Sequence, residues 1–190
     1  LVSIAAGVLL ALSWRRGEVV DVARDRAPAP PPAPGAARRV FVILTMTMAA
    51  NGFVYFGVAT SMPKLFETGL GPALASGYTQ IGLFVGLVIG LSSFTGILGG
   101  WLADRYSARA IYLVFWVLLA LPLFALTSLR DVALLAVAFL ALAFNIAFAA
   151  AENMLVARYT PFEWRSLAYG AKFVLALGVG GVTVKLVGEV

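Results

Sequence analysis

Long apolar stretches alternate along the chain with short segments that carry charges, prolines or glycines. Each apolar stretch is long enough to cross about 30 Å of hydrocarbon as an α-helix. The stretches are apolar on every side, which argues against the alternating strands of a β-barrel. We therefore predict an all-α polytopic membrane helical bundle whose complete spans cover about residues 40–62, 78–103, 110–129, 132–157 and 166–187. Pro63 is expected to end the first of these spans.

Two further segments precede the complete spans. Residues 1–14 are apolar and run directly into Arg15 and Arg16, so we predict the end of a spanning helix whose beginning is missing, and hence a fragment. A signal peptide would need a basic segment before the apolar run and a small-residue cleavage site after it. Residues 15–39 are proline-rich and charged at both ends, which predicts a solvated linker; a partner-binding PxxP site is the alternative.

Composition narrows the chemistry that the chain can carry. Of 190 residues, 62% are hydrophobic and 12% are charged, as expected for a membrane protein. The sequence has no Cys and no His, which excludes disulfides, thiol nucleophiles and thiolate or imidazole metal sites. We expect neither a metal nor a cofactor, and no enzymatic activity.

The cations are divided unequally between the two sides of the predicted bundle. Three of them, Lys64, Arg130 and Lys185, fall on one side. Because cytoplasmic segments carry the excess of positive charge, we predict that the other side is cytoplasmic, in a plasma (inner) membrane. The formal net charge of +5 is then explained by the topology and by contact with a lipid bilayer, and it does not indicate a nucleic-acid partner. The ten cytoplasmic cations are Arg15, Arg16, Arg24, Arg26, Arg38, Arg39, Arg105, Arg109, Arg158 and Arg165.

The segment "GWLADRYSAR", residues 100–109, resembles the loop signature between two helices of major facilitator superfamily transporters. Ser107 replaces the usual glycine of that signature, and Ala108 replaces a usual basic residue. The segment "RYTPFEWRSLAYGAKF" also resembles the family's loop between helices ten and eleven. The positions that fit the first signature are Gly100, Leu102, Ala103, Asp104, Arg105 and Arg109.

The resemblance covers nearly the whole chain, as helices six to eleven of such a transporter. It implies the C-terminal half of a secondary active transporter that moves a small-molecule solute by alternating access. The N-terminal half and the last helix would be the missing partners. A membrane enzyme would need clustered nucleophiles or bases, and a channel would conduct without saturation; both remain alternatives, as do uptake and efflux.

The resemblance also implies a cytoplasmic gate at the loop signature. In the family, the loop acid and its basic neighbours hold a network at the cytoplasmic ends of helices, and Gly100, Asp104, Arg105 and Arg109 match those positions. Asp104 would then stabilise the state that is closed to the cytoplasm. The alternative is that the two arginines only anchor the helix ends and that Asp104 is a solvated turn residue.

Two charged residues lie inside predicted spans, where charges are costly and often functional. Glu152 precedes Arg158 by six residues and Lys172 follows Arg165 by seven, which places both roughly 10 Å inside the bilayer. Their matching depths predict an ion pair. Glu152 would bind a proton or a cationic solute, Lys172 would attract an anionic one, or the pair would be a static bridge; the sequence leaves these open.

Uncharged polar residues and glycines complete the set of candidate positions. Asn51, Tyr55 and Asn145 are predicted to line a substrate cavity near the midplane, with hydrogen bonding between helices as the alternative. Small residues at every fourth position give one helix a smooth face, which predicts close helix packing at Gly82, Gly86 and Gly90.

Overall fold

The structure is a computed structural model that describes residues 36–72, 74–160 and 164–189, all within the compact unit Pro32–Val190. The predicted span 1–14 and most of the predicted linker 15–39 lie outside these residues. The described residues form helices and no strand, which confirms the all-α bundle. The helices are α1 (Ala36–Gly69), α2 (Tyr78–Ser93), α3 (Thr95–Arg105), α4 (Ala108–Ala125), α5 (Asp131–Tyr159) and α6 (Arg165–Gly188).

Within the described residues, five helical segments are long and apolar enough to cross a membrane, and α2 and α3 together form one of them. Hydrocarbon offers no water to backbone groups, so a spanning segment must satisfy them internally, as a helix does. The chain is therefore an integral multi-pass membrane protein. The segments are Val42–Gly69, Tyr78–Arg105, Ala108–Ala125, Asp131–Tyr159 and Arg165–Gly188.

The helix α1 is longer than predicted at both ends. It begins at Ala36, inside the predicted linker, and it contains Pro63 instead of ending there. A proline deletes one backbone hydrogen bond of a helix, and the remaining bonds carry the helix past it. Beyond Pro63 one face of the helix is polar and exposed, with an ion pair of 3.0 Å between Lys64 Nζ and Glu67 Oε2, while Phe66 is fully buried. Pro63 is therefore an internal residue of α1.

The predicted span 78–103 is broken at Phe94 into α2 and α3. Serine and threonine hydroxyls compete for backbone groups, which favours an interruption at this point. The Thr95 hydroxyl donates to the carbonyl oxygen of Ser92 at 2.6 Å and to that of Ala143 in α5 at 2.9 Å. The break is thus satisfied by side chains and joined to the neighbouring helix.

The predicted span 110–129 is shorter than expected, because α4 ends at Ala125. The amides of Ser128 and Leu129 both donate to the carbonyl oxygen of Ala125, at 3.1 Å each, and close a turn there. The hydroxyl of Thr127 adds a bond of 2.9 Å to the carbonyl oxygen of Phe124. Local hydrogen bonds therefore replace the last turn of the predicted helix.

The helix α5 is the centre of the bundle, because α1, α2, α3 and α4 all pack on it. Many of its buried residues are alanines, whose small side chains allow neighbouring backbones to approach closely. The closest approach is at Gly99 of α3, where a Cβ atom would collide with the carbonyl oxygen of Ala147. Outward-facing residues such as Phe124, which is 81% exposed, form an apolar outer surface suited to lipid.

Two polar contacts identify which connections lie at the same end of the bundle. At the loop end, residues 70–72, 74–77 and 126–131, the Gly71 amide donates to Asp131 Oδ1 at 2.8 Å. Asp131 has a φ of 53°, a left-handed conformation that aspartate tolerates better than most residues. At the turn end, residues 105–109, 158–160 and 164–165, Arg109 Nη2 donates to the Tyr159 hydroxyl at 2.7 Å.

Candidate functional site

A charged pair lies inside the bundle, one side chain on α5 and one on α6. Lys172 Nζ is 2.6 Å from Glu152 Oε2, and the side chains are 12% and 0% exposed, respectively. The pair is the one predicted from the depth of the two residues. Because a buried carboxylate without a partner costs several kcal/mol, at the order of magnitude typical of ions in proteins, each charge supports the burial of the other.

The Lys172 ammonium also has a second partner. It donates a hydrogen bond of 2.6 Å to Asn153 Oδ1, and the hydroxyl of Tyr169, one turn earlier on α6, donates to the Asn153 carbonyl oxygen at 2.8 Å. The contact with Glu152 is a close ion pair, but it lacks the alignment of a hydrogen bond. The Lys172 ammonium therefore contacts both side chains, with an aligned hydrogen bond to Asn153 and a close ion pair to Glu152.

A cavity of about 210 Å³ adjoins this pair, between α1, α5 and α6. Lys172 forms part of its wall, with Thr45, Tyr159 and Thr160 as the other polar lining residues. Glu152 does not line the cavity; it lies behind the lysine. A solute in this cavity would meet a mostly apolar wall and one ammonium group whose charge is already paired. The remaining lining residues are Leu44, Met48, Val156, Ala168, Ala171 and Leu175.

The three residues predicted to line a midplane cavity lie elsewhere. Asn145 Nδ2 donates a hydrogen bond of 2.6 Å to Asn51 Oδ1, and Asn145 is only 4% exposed. Tyr55 packs edge-to-face against Phe56, with ring centroids 5.4 Å apart. None of the three lines the cavity beside Lys172. The structure thus places the two asparagines in a hydrogen bond between α1 and α5, and a role in solute binding stays a prediction.

The residues of the loop signature lie at the turn end. In the part of the chain that the structure describes, no two of them form an ion pair. The Arg105 guanidinium lies over the Trp101 ring, 4.7 Å from its centroid. Arg109 contacts Tyr159, as described above, and so joins the start of α4 to the end of α5. Asp104 is exposed and has no hydrogen bond or ion pair to any residue that the structure describes. Its carboxylate therefore faces outward.

Gly100 and the glycine face of α2 are not packed. No atom lies within 4 Å of where a Cβ would stand on Gly82, Gly86, Gly90 or Gly100. Within the described part of the chain this face of α2 points away from its neighbours, so close packing along it stays a prediction. Glycines that do allow close approach are Gly52, Gly99 and Gly180.

Two buried polar side chains of α4 escaped the sequence analysis. The Tyr112 hydroxyl and the Trp116 indole nitrogen are buried and make no aligned hydrogen bond to any described residue. Both rings contact Phe148 of α5, with centroids 5.6 Å from it in each case. The signal that the sequence offered is Trp116, a polar-tipped aromatic residue well inside an apolar span and four residues after Tyr112, because such residues usually lie near the ends of spans.

The arrangement of the helices defines the class: a multi-pass integral membrane protein with a buried ion pair beside a cavity. The sequence model of the Major Facilitator Superfamily matches residues 1–184, and the chain belongs to that superfamily of membrane transporters. The resemblance stated from the loop signature is thereby confirmed. No curated protein and no solved structure matches the chain. The superfamily moves small-molecule solutes across lipid bilayers.

Proposed function

We propose that the chain serves a secondary active transporter, which moves a small solute by alternating access and couples that movement to protons at Glu152. The buried ion pair between Glu152 and Lys172, with Lys172 in the wall of a cavity, carries this proposal. Family membership supports transport as the general function and gives no support to an enzymatic role.

The position of the pair gives a physical reason for coupling. It joins α5 to α6, two helices that otherwise share little surface, whereas α6 packs extensively on α1. If α6 moves relative to α5, the Lys172 ammonium withdraws and leaves a carboxylate in an apolar interior. Such a carboxylate must bind a proton or find another donor. A proton at Glu152 would therefore accompany the conformational change.

In a second version of the proposal, the same site binds an anionic solute. Lys172 lines the cavity and Glu152 does not, so an anionic solute in the cavity would meet the ammonium directly. It would compete with the Glu152 carboxylate for that ammonium, and the displaced carboxylate would again need a proton. The exposed Asp104, which has no ion pair within the described residues, is free to serve as the acid of the proposed cytoplasmic gate.

Transport assays with the intact protein in proteoliposomes test the proposal. A panel of anionic, cationic and neutral solutes would be offered with and without an imposed proton gradient. We expect at least one solute to accumulate with the gradient, and we expect Glu152→Gln to abolish that accumulation. Glu67→Gln is the matched control, because Glu67 is an exposed glutamate in a surface ion pair. Accumulation that persists unchanged after the gradient is collapsed would exclude proton coupling.

Labelling of single cysteines tests the proposed orientation, in which the linker and the turn end lie in the cytoplasm of a plasma (inner) membrane. Ser107 and Lys64 are both exposed and lie near opposite ends of the bundle, so an impermeant thiol reagent should reach them from opposite sides. A third cysteine at Ala171, in the cavity wall, tests the gate. We expect Asp104→Asn to change labelling at Ala171 from the cytoplasmic side. Labelling of Ser107 and Lys64 from the same side would contradict the orientation.

A further inference from the structure

The helix α4 carries two buried hydrogen-bond donors that make no aligned hydrogen bond to the described residues. The Tyr112 hydroxyl and the Trp116 indole N–H are both inaccessible, and the whole Tyr112 residue is only 6% exposed. They lie four residues apart and so project from one face of the helix. A buried donor without an acceptor is destabilising, so such a pair in an otherwise apolar span calls for a partner in another state of the molecule.

Both donors face the part of α5 that carries Glu152. Their rings pack on Phe148, which precedes Glu152 by four residues and shares its helix face. The Tyr112 hydroxyl has Thr47 and Trp116 as polar neighbours and lies within electrostatic range of the Glu152 carboxylate. The Thr47 hydroxyl donates its own proton to carbonyl oxygens of its helix, and no aligned hydrogen bond joins it to the Tyr112 hydroxyl.

The Glu152 carboxylate has unfilled acceptor capacity toward these donors. Neither of its oxygens accepts an aligned hydrogen bond from the described residues, although Lys172 Nζ lies 2.6 Å from Oε2. Among the described residues, the ionisable groups that act on Glu152 are Lys172 from α6 and Tyr112 from α4, and the Thr47 hydroxyl of α1 lies beside Tyr112. At the interface between α4 and α5, the Tyr112 and Trp116 donors therefore lack an aligned acceptor, and the Glu152 carboxylate lacks an aligned donor.

The packing of the helices decides which partner of Glu152 is permanent. The helix α4 packs on α5 more extensively than any other helix does, whereas α6 touches α5 only slightly and packs mainly on α1. A movement of α6 would separate Lys172 from Glu152 and leave Tyr112 and Trp116 in place. The fixed neighbour of Glu152 is α4, and the movable one is α6.

We infer that Tyr112, with Trp116 beside it, is the alternative hydrogen-bond partner of Glu152, which the carboxyl group takes when Lys172 withdraws. The inference rests on the proposed function, in which Glu152 exchanges its partner during transport. Tyr112 and Trp116 are positioning residues in this scheme: they hold the carboxyl group inside the bundle while it carries the transported proton. The Tyr112 and Trp116 donors would then be hydrogen-bonded to Glu152 in one state of the cycle, and Lys172 would be paired with Glu152 in the other state.

Infrared difference spectroscopy of the intact protein in lipid tests the inference without a known solute. Lys172→Met removes the partner on α6, and the protonated Glu152 carboxyl is then identified by the C=O stretching band that Glu152→Gln abolishes. We expect Tyr112→Phe, added to Lys172→Met, to shift this band to higher wavenumber, because the band lies lower when its oxygen accepts a hydrogen bond. Tyr106→Phe is the control, since Tyr106 is exposed at the turn end.

The outcomes separate the inference from the function on which it rests. A Glu152 band that is unmoved by Tyr112→Phe would overturn the inference and leave proton binding intact. No Glu152 band at any pH in the wild type or in Lys172→Met would overturn proton binding itself.

A measurement in the wild-type background covers the case in which Lys172→Met does not fold. The protein is labelled with fluorotryptophan, and the Trp116 resonance is assigned by its loss in Trp116→Phe. We expect this resonance to move with pH in the wild type and to stop moving in Glu152→Gln. A Trp116 resonance whose chemical shift does not change with pH in the wild type or in Glu152→Gln would overturn the inference.

Discussion

The two sides of α5 are built in opposite ways. On the α3 and α4 side, backbones and rings are in direct contact: Gly99 abuts Ala147, and Phe148 is covered by Tyr112 and Trp116. On the α6 side, little surface is shared, and the connection consists of the Glu152–Lys172 pair and the bonds from Lys172 and Tyr169 to Asn153. The α3 and α4 side is held by close packing, and the α6 side is held by a few polar contacts.

This difference separates a permanent interface from one that can open. Close packing is lost all at once when backbones separate, because dispersion contacts fall off steeply with distance. A small set of polar contacts can be exchanged for others, provided that every buried charge finds a new partner or a proton. The α6 side therefore suits a moving part of an alternating-access cycle, and the α3 and α4 side suits its rigid support.

The largest effect is expected where the polar side is broken by removing one charge. Lys172→Ala removes the cation that pairs with the buried Glu152 carboxylate, which should cost about 3–5 kcal/mol in the free energy of unfolding. Denaturant unfolding in detergent micelles would measure this cost. Lys64→Ala is the matched control, because Lys64 also pairs with a glutamate but is 77% exposed, so we expect little change from it.

Removal of both charges sharpens this prediction. Glu152→Gln together with Lys172→Met leaves no unpaired ion, and we expect it to recover most of the stability lost in Lys172→Ala. A double variant as unstable as Lys172→Ala would mean that the loss comes from packing of the lysine stem and not from the orphaned carboxylate.

The next largest effect concerns the packed side. Gly99→Val introduces a side chain where α3 meets the α5 backbone, and we expect a loss of about 1–3 kcal/mol, the usual range for overpacking. Gly82→Val is the control, since the space around Gly82 is open. Thermal unfolding followed by circular dichroism would compare them. Equal melting temperatures for the two variants would show that α3 can move away from α5 at no cost.

The fold was predictable from the sequence to the extent that hydrophobic length controls it. Apolar runs of about 20 residues predict spanning helices whatever their neighbours are. Helix ends and breaks depend on local hydrogen bonds instead. Pro63 is tolerated inside α1. The break at Phe94 is supported by the Thr95 hydroxyl, which donates a hydrogen bond to the Ala143 carbonyl oxygen of α5. Such contacts between helices cannot be read from the residues of one span.

The candidate site was predictable only where charge and depth determine it. Glu152 and Lys172 could be matched because both are charged within apolar spans at equal distances from basic anchors. The orientation of a helix face carries no comparable signal, and the glycines of α2 accordingly point outward while Gly99 packs. Tyr112 was missed because an aromatic residue in an apolar span is ordinarily a core residue, and its hydroxyl matters only beside Glu152.

A smaller effect is expected for the neutral polar contact between α1 and α5. Asn51→Ala and Asn145→Ala each remove one partner of the same buried hydrogen bond, and hydrogen bonds between spanning helices contribute about 0.6–1.7 kcal/mol. A double-mutant cycle on unfolding free energies should give a coupling energy within that range. Strict additivity of the two losses would indicate that the asparagines act separately, for example by contacting a solute.

The smallest effect is expected at the turn end, where α4 and α5 share a polar contact near the surface. Tyr159→Phe removes the hydroxyl that accepts from Arg109, and an exposed bond of this kind should contribute less than about 1 kcal/mol. The control is Tyr78→Phe, because Tyr78 is 82% exposed. Parallel melting curves would measure the difference. If Tyr159→Phe destabilised the protein as much as Gly99→Val, the packed side would also depend on a polar contact, and the division between a rigid side and a movable side of α5 would fail.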